Sequence, residues 1–468
     1  MAVTLASRAD ITLEAFERVA WRGESIDIAP EALERIDAAR AAFLRLIEQP
    51  EITVYGVTSG YGDRAGVRLG VEERALQAKQ AMHAAGSFGK PLPERVARGI
   101  VLARLANFLD GHAAVSARLA TAVADLPDGG RLPSVPERGN GGSGEIVALA
   151  HLFGPLMEAF ELGEKEGLAL TNGSPGAAAL VADASLAARR RLELAYRAFA
   201  LSVEAFRAPL EAYDPALEEL WGDEHETLAL RRLRSLLNTS ADGRRPHQAP
   251  VAYRILPRVL GQAERTLDAA ERAAAISLRS VSDNPVYLPP ADDRSDGRVL
   301  STGGYHNAAA PAALHELAVS WADLCQLAER HIERIAFTRA SSGPPSRVES
   351  LLHLFMMVAV GYSEDARSAA QPVVLPRGGP GQNDVTSPAF LAWSREEAAG
   401  ECLDALLALL AGAAGHALSV AEPDLTPDLA HFRAEVGARF PPLQEPRMIG
   451  TDAGRLTDYF RELVFSAG

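Results

Sequence analysis

The chain has few cysteines, few aromatic residues and no excess of positive charge. Its 468 residues include only two cysteines, Cys325 and Cys402, which lie in separate segments rich in alanine and leucine. Two such cysteines do not build a disulfide framework, so both are predicted to be small buried side chains in a reducing compartment. The formal net charge of −14 disfavours nucleic acid and anionic membranes as partners.

The sequence also lacks a secretory apolar segment near its start, clear strand alternation and metal-ligand spacing. The first ten residues contain no long apolar run, which favours a cytoplasmic protein. The most apolar stretch, residues 403–420, contains Asp404 and His416, so it is predicted to be a buried bundle helix rather than a membrane span. Short strands are predicted only at residues 52–57 and 286–288. The histidines do not have the spacing of zinc ligands, and no metal is predicted.

Helix-forming residues are abundant, and 47% of the chain is hydrophobic. Apolar side chains recur at helical spacing from residue 314 to 335, and residues 177–206 form a second long helical pattern. The arginine run at residues 189–191 is predicted to be a solvated helix face. We therefore predict a mostly α fold, with a long central helical bundle at residues 176–468 and a smaller N-terminal domain at residues 1–175.

Four loops rich in glycine, proline and aspartate interrupt these helices, at residues 60–66, 128–144, 289–298 and 376–388. Polar residues on such loops can be brought together by a rigid helical scaffold, which is a common architecture of functional sites.

The glycine-rich run at residues 139–145 is the most informative of these segments. It reads Gly-Asn-Gly-Gly-Ser-Gly-Glu and matches the G-x-G-x-x-G fingerprint of dinucleotide-binding proteins as a string. That fingerprint must follow a buried strand, whereas Pro133 and Pro136 precede this run, so nucleotide binding is disfavoured. The remaining alternatives are a plain surface loop, a nucleophile turn, and a backbone able to react with itself.

Several motifs in the same order resemble those of the aromatic amino acid ammonia-lyases and aminomutases, the histidine ammonia-lyase family. The similarity runs from about residue 50 to 390. Residues 55–62, YGVTSGYG, resemble the family's tyrosine loop, and residues 141–145, GGSGE, stand where the family has GASGD. Further matching segments are MHAAG at 82–86, KEGLALTNG at 165–173, SDNP at 282–285, GGYH at 303–306 and QNDV at 382–385.

The resemblance implies an ammonia-lyase (fumarase/aspartase-like) fold and a methylidene-imidazolone ring, MIO, made autocatalytically from Gly142, Ser143 and Gly144. Breaking a C–N bond beside a non-acidic C–H needs an electrophile, and ordinary side chains are nucleophiles. The resemblance also implies that Tyr55 is the catalytic acid/base. It further implies an amino acid or related carboxylate as substrate, a homotetramer with shared active sites, and substrate contacts from His83, Asn172, Arg254, Tyr305 and Asn383.

The chain departs from the family pattern at several site positions. Gly142 replaces the alanine of the ring-forming triad, Val251 stands where the family has a second catalytic tyrosine, and Gly304 replaces an asparagine. Asn383 stands where histidine-specific members have an acid. Three functions therefore stay open: a MIO-dependent lyase or aminomutase, a relative that uses the cavity for another elimination, addition or cyclisation without MIO, and an inactive oligomeric binding protein.

Overall fold

The computed structural model describes residues 2–291, 296–337, 349–379, 381–421 and 424–463. Seventeen α-helices and four short strands lie within these ranges, so the predicted mostly α class is confirmed. The chain divides into two compact units. The first unit comprises Met1–Ser185, Ala270–Leu314 and Val373–Ser394, and the second comprises Leu186–Ala269, His315–Pro372 and Arg395–Gly468. The predicted boundary after residue 175 stays a prediction.

Seven helices and all four described strands belong to the first unit. β1 and β2 pair in parallel, and β3 and β4 pair antiparallel. The helices of this unit are α1 Leu13–Phe16, α2 Pro30–Glu48, α3 Val71–Gln80, α4 Glu94–Leu109, α5 Ala117–Ala124, α6 Ile146–Ala159 and α7 Glu166–Thr171. The strands are β1 Ala2–Leu5, β2 Ser25–Ile28, β3 Val286–Leu288 and β4 Arg298–Leu300.

Four long helices contribute residues to both units, and the remaining helices belong to the second. The long helices are α8 Pro175–Phe206, α12 Leu256–Arg279, α13 Ala309–Phe337 and α15 Ala389–Ala421. The other helices are α9 Ala216–Trp221, α10 Glu224–Leu236, α11 Val251–Arg254, α14 Glu349–Ala369, α16 Pro427–Arg439 and α17 Ile449–Glu462.

The long helical patterns were predicted correctly. The apolar stripe of residues 314–335 lies on α13 with its members buried, and residues 177–206 lie within α8. Helix α15 contains the apolar stretch and is long enough to cross a membrane. However, 83% of its most apolar 18-residue segment is buried inside the protein, as in a core helix. Cys325 and Cys402 are buried and free, as predicted. A cytoplasmic location stays a prediction.

Two sequence-based predictions are wrong, namely the strand at residues 52–57 and the solvated arginine run at residues 189–191. Residues 52–57 do not form a strand; they lead into a turn, because the Val54 carbonyl accepts hydrogen bonds from the backbone N–H groups of residues 57–59. The Thr58 hydroxyl closes the same turn by accepting from Val54 N at 2.7 Å. The strand predicted at 286–288 is present as β3. Strands β1, β2 and β4 were not predicted.

The arginine run at residues 189–191 is not a uniformly solvated face. Arg189 is exposed, whereas Arg191 is 1% exposed and its guanidinium lies 3.0 Å from a Glu396 carboxylate oxygen and 3.5 Å from Asp404. Glu396 also accepts a hydrogen bond of 2.8 Å from the indole of Trp321. Successive helix residues turn by about 100°, so a run of three cannot all face solvent on a packed helix.

The core of the first unit supports the predicted tyrosine loop. Val54 and Val57 flank Tyr55 in sequence and pack into a buried apolar cluster with Phe43 and Tyr287, whose rings meet edge to face at 5.3 Å. The buried valines hold both ends of the turn in place, while the Tyr55 side chain between them is only half-buried. The local sequence therefore presents a tyrosine from a rigid base.

Candidate active site

A cavity of about 340 Å³ in the first unit brings several predicted site residues together. Its volume is at the lower end of the range for small-molecule sites. None of its lining side chains carries a formal charge, and most are hydroxyls and amides. The lining comprises Tyr55, Ser143, Ile146, Asn172, Asn284, Ser301, Thr302, Gly303, Tyr305, Gln382 and Asn383.

Tyr55 reaches this cavity with its hydroxyl fixed by one backbone group. The Gly62 N–H donates to the Tyr55 oxygen at 3.0 Å. This contact leaves the phenolic proton and a second lone pair of the oxygen for a substrate. Tyr61, on the same loop, packs edge to face against Tyr55 with ring centroids 6.3 Å apart. Burial, and secondarily the neighbouring Tyr55, raises the pKa of Tyr61 well above its usual value, so Tyr61 stays a neutral phenol.

The segment Gly142–Ser143–Gly144 forms a turn at the cavity wall, and Ser143 lines the cavity. Gly142 has φ +120° and Gly144 has φ +66°, conformations that side-chain-bearing residues rarely adopt. A Cβ placed on Gly144 would lie 3.6 Å from Asn172 Oδ1 and 3.7 Å from Tyr305 Cβ. The turn therefore sits directly against two other predicted site residues.

Residues 385–387 hold this turn through side-chain and backbone hydrogen bonds. The Thr386 hydroxyl accepts from Gly142 N at 2.5 Å and donates to Gly142 O at 2.7 Å. The Ser387 N–H donates to the same Gly142 oxygen at 3.3 Å. The Ser143 hydroxyl donates to the Val385 carbonyl at 3.2 Å. A stretch more than 240 residues away in sequence thus fixes both the first and the second residue of the predicted ring-forming triad.

Buried polar groups hold Asn172, which lines the cavity. Its side-chain amide donates to the Asn284 carbonyl and accepts from Gly173 N at 2.9 Å. Arg104, fully buried, donates to the carbonyls of Ala169 at 2.5 Å and Asn172 at 2.6 Å. Burial lowers the pKa of Arg104 to about 10, which still leaves it charged at neutral pH.

Three further ionisable side chains support this region. Lys165 and Asp283 form a salt bridge with both side chains fully buried. Glu145 follows the glycine turn and accepts from the N–H groups of Gly176 at 2.5 Å and Ala177 at 2.6 Å, in the first turn of α8. Burial raises the pKa of Glu145 to about 7, although these hydrogen bonds act in the opposite direction.

Other predicted site residues lie outside the cavity lining. His83 is exposed on a short helical turn, Ala81–Ala84. Arg254 belongs to the second unit, where it is exposed and donates from Nε to the Ala249 carbonyl at 2.8 Å. Val251 is 57% exposed. Tyr253 is fully buried and stacks on His331 with ring centroids 3.8 Å apart.

Thr386 and Ser387 are site residues that sequence analysis missed. Both are buried, and both contact the predicted ring-forming turn through groups that no local motif distinguishes. The nearby match at residues 382–385 pointed to this loop but not to the residues after it. In the part of the chain that the structure describes, no group of three or more His, Cys, Asp or Glu side chains could hold a metal ion. The absence of a metal stays a prediction.

The sequence and the fold are similar to those of known proteins. The model of the aromatic amino acid lyase family matches residues 11–159 and 157–438. The histidine ammonia-lyase of Symbiobacterium thermophilum is 28% identical over 96% of this chain and 95% of its own length. The histidine ammonia-lyase of Geobacillus thermodenitrificans is 29% identical, over 77% of each chain.

Solved structures share the fold over almost the whole chain. Histidine ammonia-lyase from Trypanosoma cruzi superposes with a TM-score of 0.85 at 23% identity, covering 98% of this chain and 93% of its own. The phenylalanine aminomutase of Pantoea agglomerans gives a TM-score of 0.88 at 18% identity, covering 98% of this chain and 99% of its own. The predicted ammonia-lyase architecture is therefore confirmed.

The fold and the family match define the class of this protein as that of the carbon–nitrogen lyases and aminomutases. The chain belongs to the aromatic amino acid lyase family.

Proposed function

We propose that this protein eliminates or shifts the α-amino group of an aromatic or similar amino acid, using a MIO ring formed from Gly142, Ser143 and Gly144. The observation that carries the proposal is the position of Ser143 on the cavity wall beside Tyr55 and Asn172. A reactive centre, a phenol and an amide then share one small polar cavity.

The residues at this turn fit the ring. Apart from Gly142 and its two chain neighbours, no atom of the described residues lies within 4 Å of a Cβ built on Gly142, so the turn is not crowded at its first residue. The Gly142 carbonyl, which ring closure must activate, accepts hydrogen bonds from Thr386 and Ser387. Once formed, the ring would supply the electrophile that amino acid side chains lack.

In this proposal Tyr55 moves the proton at the carbon next to the amino-bearing carbon. Its oxygen is positioned by Gly62 N–H on a loop that buried valines hold rigid. A positioned general acid or base must lie within hydrogen-bond reach of the proton it transfers, and a cavity-lining phenol meets this requirement. Tyr253, the nearest tyrosine in sequence to Val251, is buried in stacked aromatic packing and is a poor alternative.

The substrate is proposed to be an amino acid with an aromatic or hydrogen-bonding side chain. Asn172, Tyr305 and Asn383 are proposed to contact it, since all three line the cavity. The uncharged lining offers no cation for the substrate carboxylate, a role that we assign to Arg254, whose guanidinium can bind a carboxylate through two hydrogen bonds. His83 is proposed to contact the distal end of the substrate. An amide at residue 383, where histidine-specific relatives carry an acid, favours a substrate other than histidine.

We further propose a homotetramer in which neighbouring subunits supply Arg254 and His83 to the cavity. Large apolar side chains that are exposed on α14 of the single chain support burial of this helix in an assembly. They are Leu354 at 47%, Met357 at 72%, Val358 at 45% and Val360 at 47% exposure. Light scattering at micromolar concentration tests this part, and a particle near the chain mass of 49.7 kDa would contradict it.

Intact mass spectrometry tests the central proposal. Cyclisation and dehydration remove two waters, so the purified chain should be about 36 Da lighter than its encoded mass. A Ser143→Ala chain is the matched control, because it lacks the hydroxyl that leaves as the second water. Incubation with tyrosine, histidine, phenylalanine and β-substituted amino acids should then increase the absorbance of a conjugated acrylate or yield a β-amino acid. An unmodified mass with turnover would favour different chemistry, and ligand binding without turnover would favour a binding protein.

A further inference from the structure

The Thr386 hydroxyl contacts both polar groups of one peptide residue. Gly142 N can only donate and Gly142 O can only accept, so the hydroxyl must accept the first bond, of 2.5 Å, and donate the second, of 2.7 Å. Thr386 is 7% exposed, so water has little access to this pair of bonds. A second donor, Ser387 N–H, reaches the same carbonyl oxygen at 3.3 Å.

During ring closure, the largest negative charge develops on the Gly142 carbonyl oxygen. The Gly144 nitrogen forms a bond to the Gly142 carbonyl carbon, and the proton of that nitrogen is transferred to the Gly142 oxygen. The first water is then lost. It consists of the Gly142 oxygen, the proton already transferred to it and the Ser143 amide proton, and its loss creates a C=N bond. The second water leaves with the Ser143 hydroxyl and its α-proton. Both waters come from the chain itself, and no oxidant or co-reactant is needed.

We propose that Thr386, together with Ser387 N–H, forms an oxyanion hole that catalyses closure of the ring at Gly142. This inference rests on the proposed function, since it concerns how the ring is made. Two donors directed at an oxygen that gains negative charge are the arrangement that stabilises tetrahedral intermediates of acyl chemistry. The amide carbonyl is a weak electrophile, so stabilisation at its oxygen acts on the difficult step.

The bond from Gly142 N strengthens the arrangement in two ways. It occupies a lone pair of the Thr386 hydroxyl, which leaves the O–H directed toward the Gly142 carbonyl. It also polarises that O–H, because hydrogen bonds in a chain reinforce each other in a buried environment. Thr386 is therefore both oriented and activated before the reaction begins, as an oxyanion hole must be.

The test follows the intact mass of newly made full-length chains over time. Wild-type, Thr386→Val, Thr386→Ala and Thr386→Ser chains are produced in a short cell-free pulse and incubated at one temperature. Valine keeps the shape of threonine and removes the hydroxyl, whereas serine keeps the hydroxyl. Far-UV circular dichroism and urea unfolding report whether each chain is folded.

We expect the wild-type chain to lose about 36 Da. We also expect the folded valine and alanine chains to lose this mass about 10²-fold more slowly, the usual effect of deleting one oxyanion-hole donor. The serine chain should react within about tenfold of wild type, because it retains the donor. A structural role alone would change the urea midpoint without this dependence of the rate on the hydroxyl.

Three results would overturn the inference. A folded Thr386→Val chain that loses the mass at the wild-type rate would leave the proposed function intact and remove the role of Thr386. Failure of both the valine and the alanine chain to fold, with a normal serine chain, would assign the hydroxyl to folding. A wild-type chain that keeps its encoded mass would overturn both the ring and this inference.

Discussion

Replacing Tyr55 by Phe should separate its proposed catalytic contribution from its structural one. The change deletes one oxygen, and the lost contact is the hydrogen bond from Gly62 N–H at 3.0 Å. Gly62 is half-buried, so water can partly replace the lost acceptor, and the free energy of unfolding should fall by only about 1 kcal/mol. Loss of a positioned proton-transfer group should instead lower turnover by about 10²-fold or more, or about 2.7 kcal/mol in the barrier.

Tyr61→Phe is the matched control for this experiment. Tyr61 lies on the same loop and loses the same atom, but among the described residues its hydroxyl makes only a long contact of 3.5 Å to the Gln77 carbonyl, and it does not line the cavity. Its raised pKa keeps it from acting as a base near neutral pH. The assay is the steady-state rate of acrylate formation from the best substrate, with unfolding in urea measured in parallel. Equal turnover in the two variants would refute the role of Tyr55.

Three other predictions concern the supporting structure. Arg191→Met should lower the free energy of unfolding by about 3–5 kcal/mol, because buried carboxylates lose their cation. The control Arg189→Met, on the exposed side of α8, should change this free energy by less than about 1 kcal/mol. Equal effects of the two substitutions would contradict the reasoning. Gly142→Ala should cost about 1–3 kcal/mol through its φ of +120°, whereas Gly141→Ala, without a positive φ, should cost less in the same urea assay. Burial raises the pKa of Glu145 from 4.5 to about 7, so the folded chain binds more protons in that range; stability should therefore fall as pH rises from about 4.5 to about 7. Glu145→Gln should remove that part of the slope in urea titrations across this range.

Much of the cavity could be predicted because its residues lie in local motifs. Tyr55, Ser143, Asn172, Tyr305 and Asn383 each sit in a short segment whose order along the chain resembles that of a known family, and all five line one cavity. Their individual roles stay predictions. The helices were predictable for a different reason, since a buried face imposes a 3.6-residue period on the sequence that carries it.

The two wrong predictions have different physical causes, one a set of partners distant in sequence and the other a local side-chain contact. Arg191 resembled a surface arginine because its acidic partners lie about 205 residues further along the chain. Residues 52–57 resembled a strand because Ile52 and Val54 are β-branched and alternate. The turn depends instead on the Thr58 side chain bonding to Val54 N, a local contact that competes with strand formation.

Gly142 shows how a departure from a family motif changes meaning once its contacts are known. In sequence, Gly142 is only a missing methyl group at the alanine position of the triad. In the structure, absence of a Cβ permits φ +120°, and in that conformation both the N–H and the C=O of Gly142 bond to Thr386. A residue with a side chain would rarely adopt this conformation. The glycine and the threonine are therefore parts of one arrangement, in which a hydroxyl contact holds the turn.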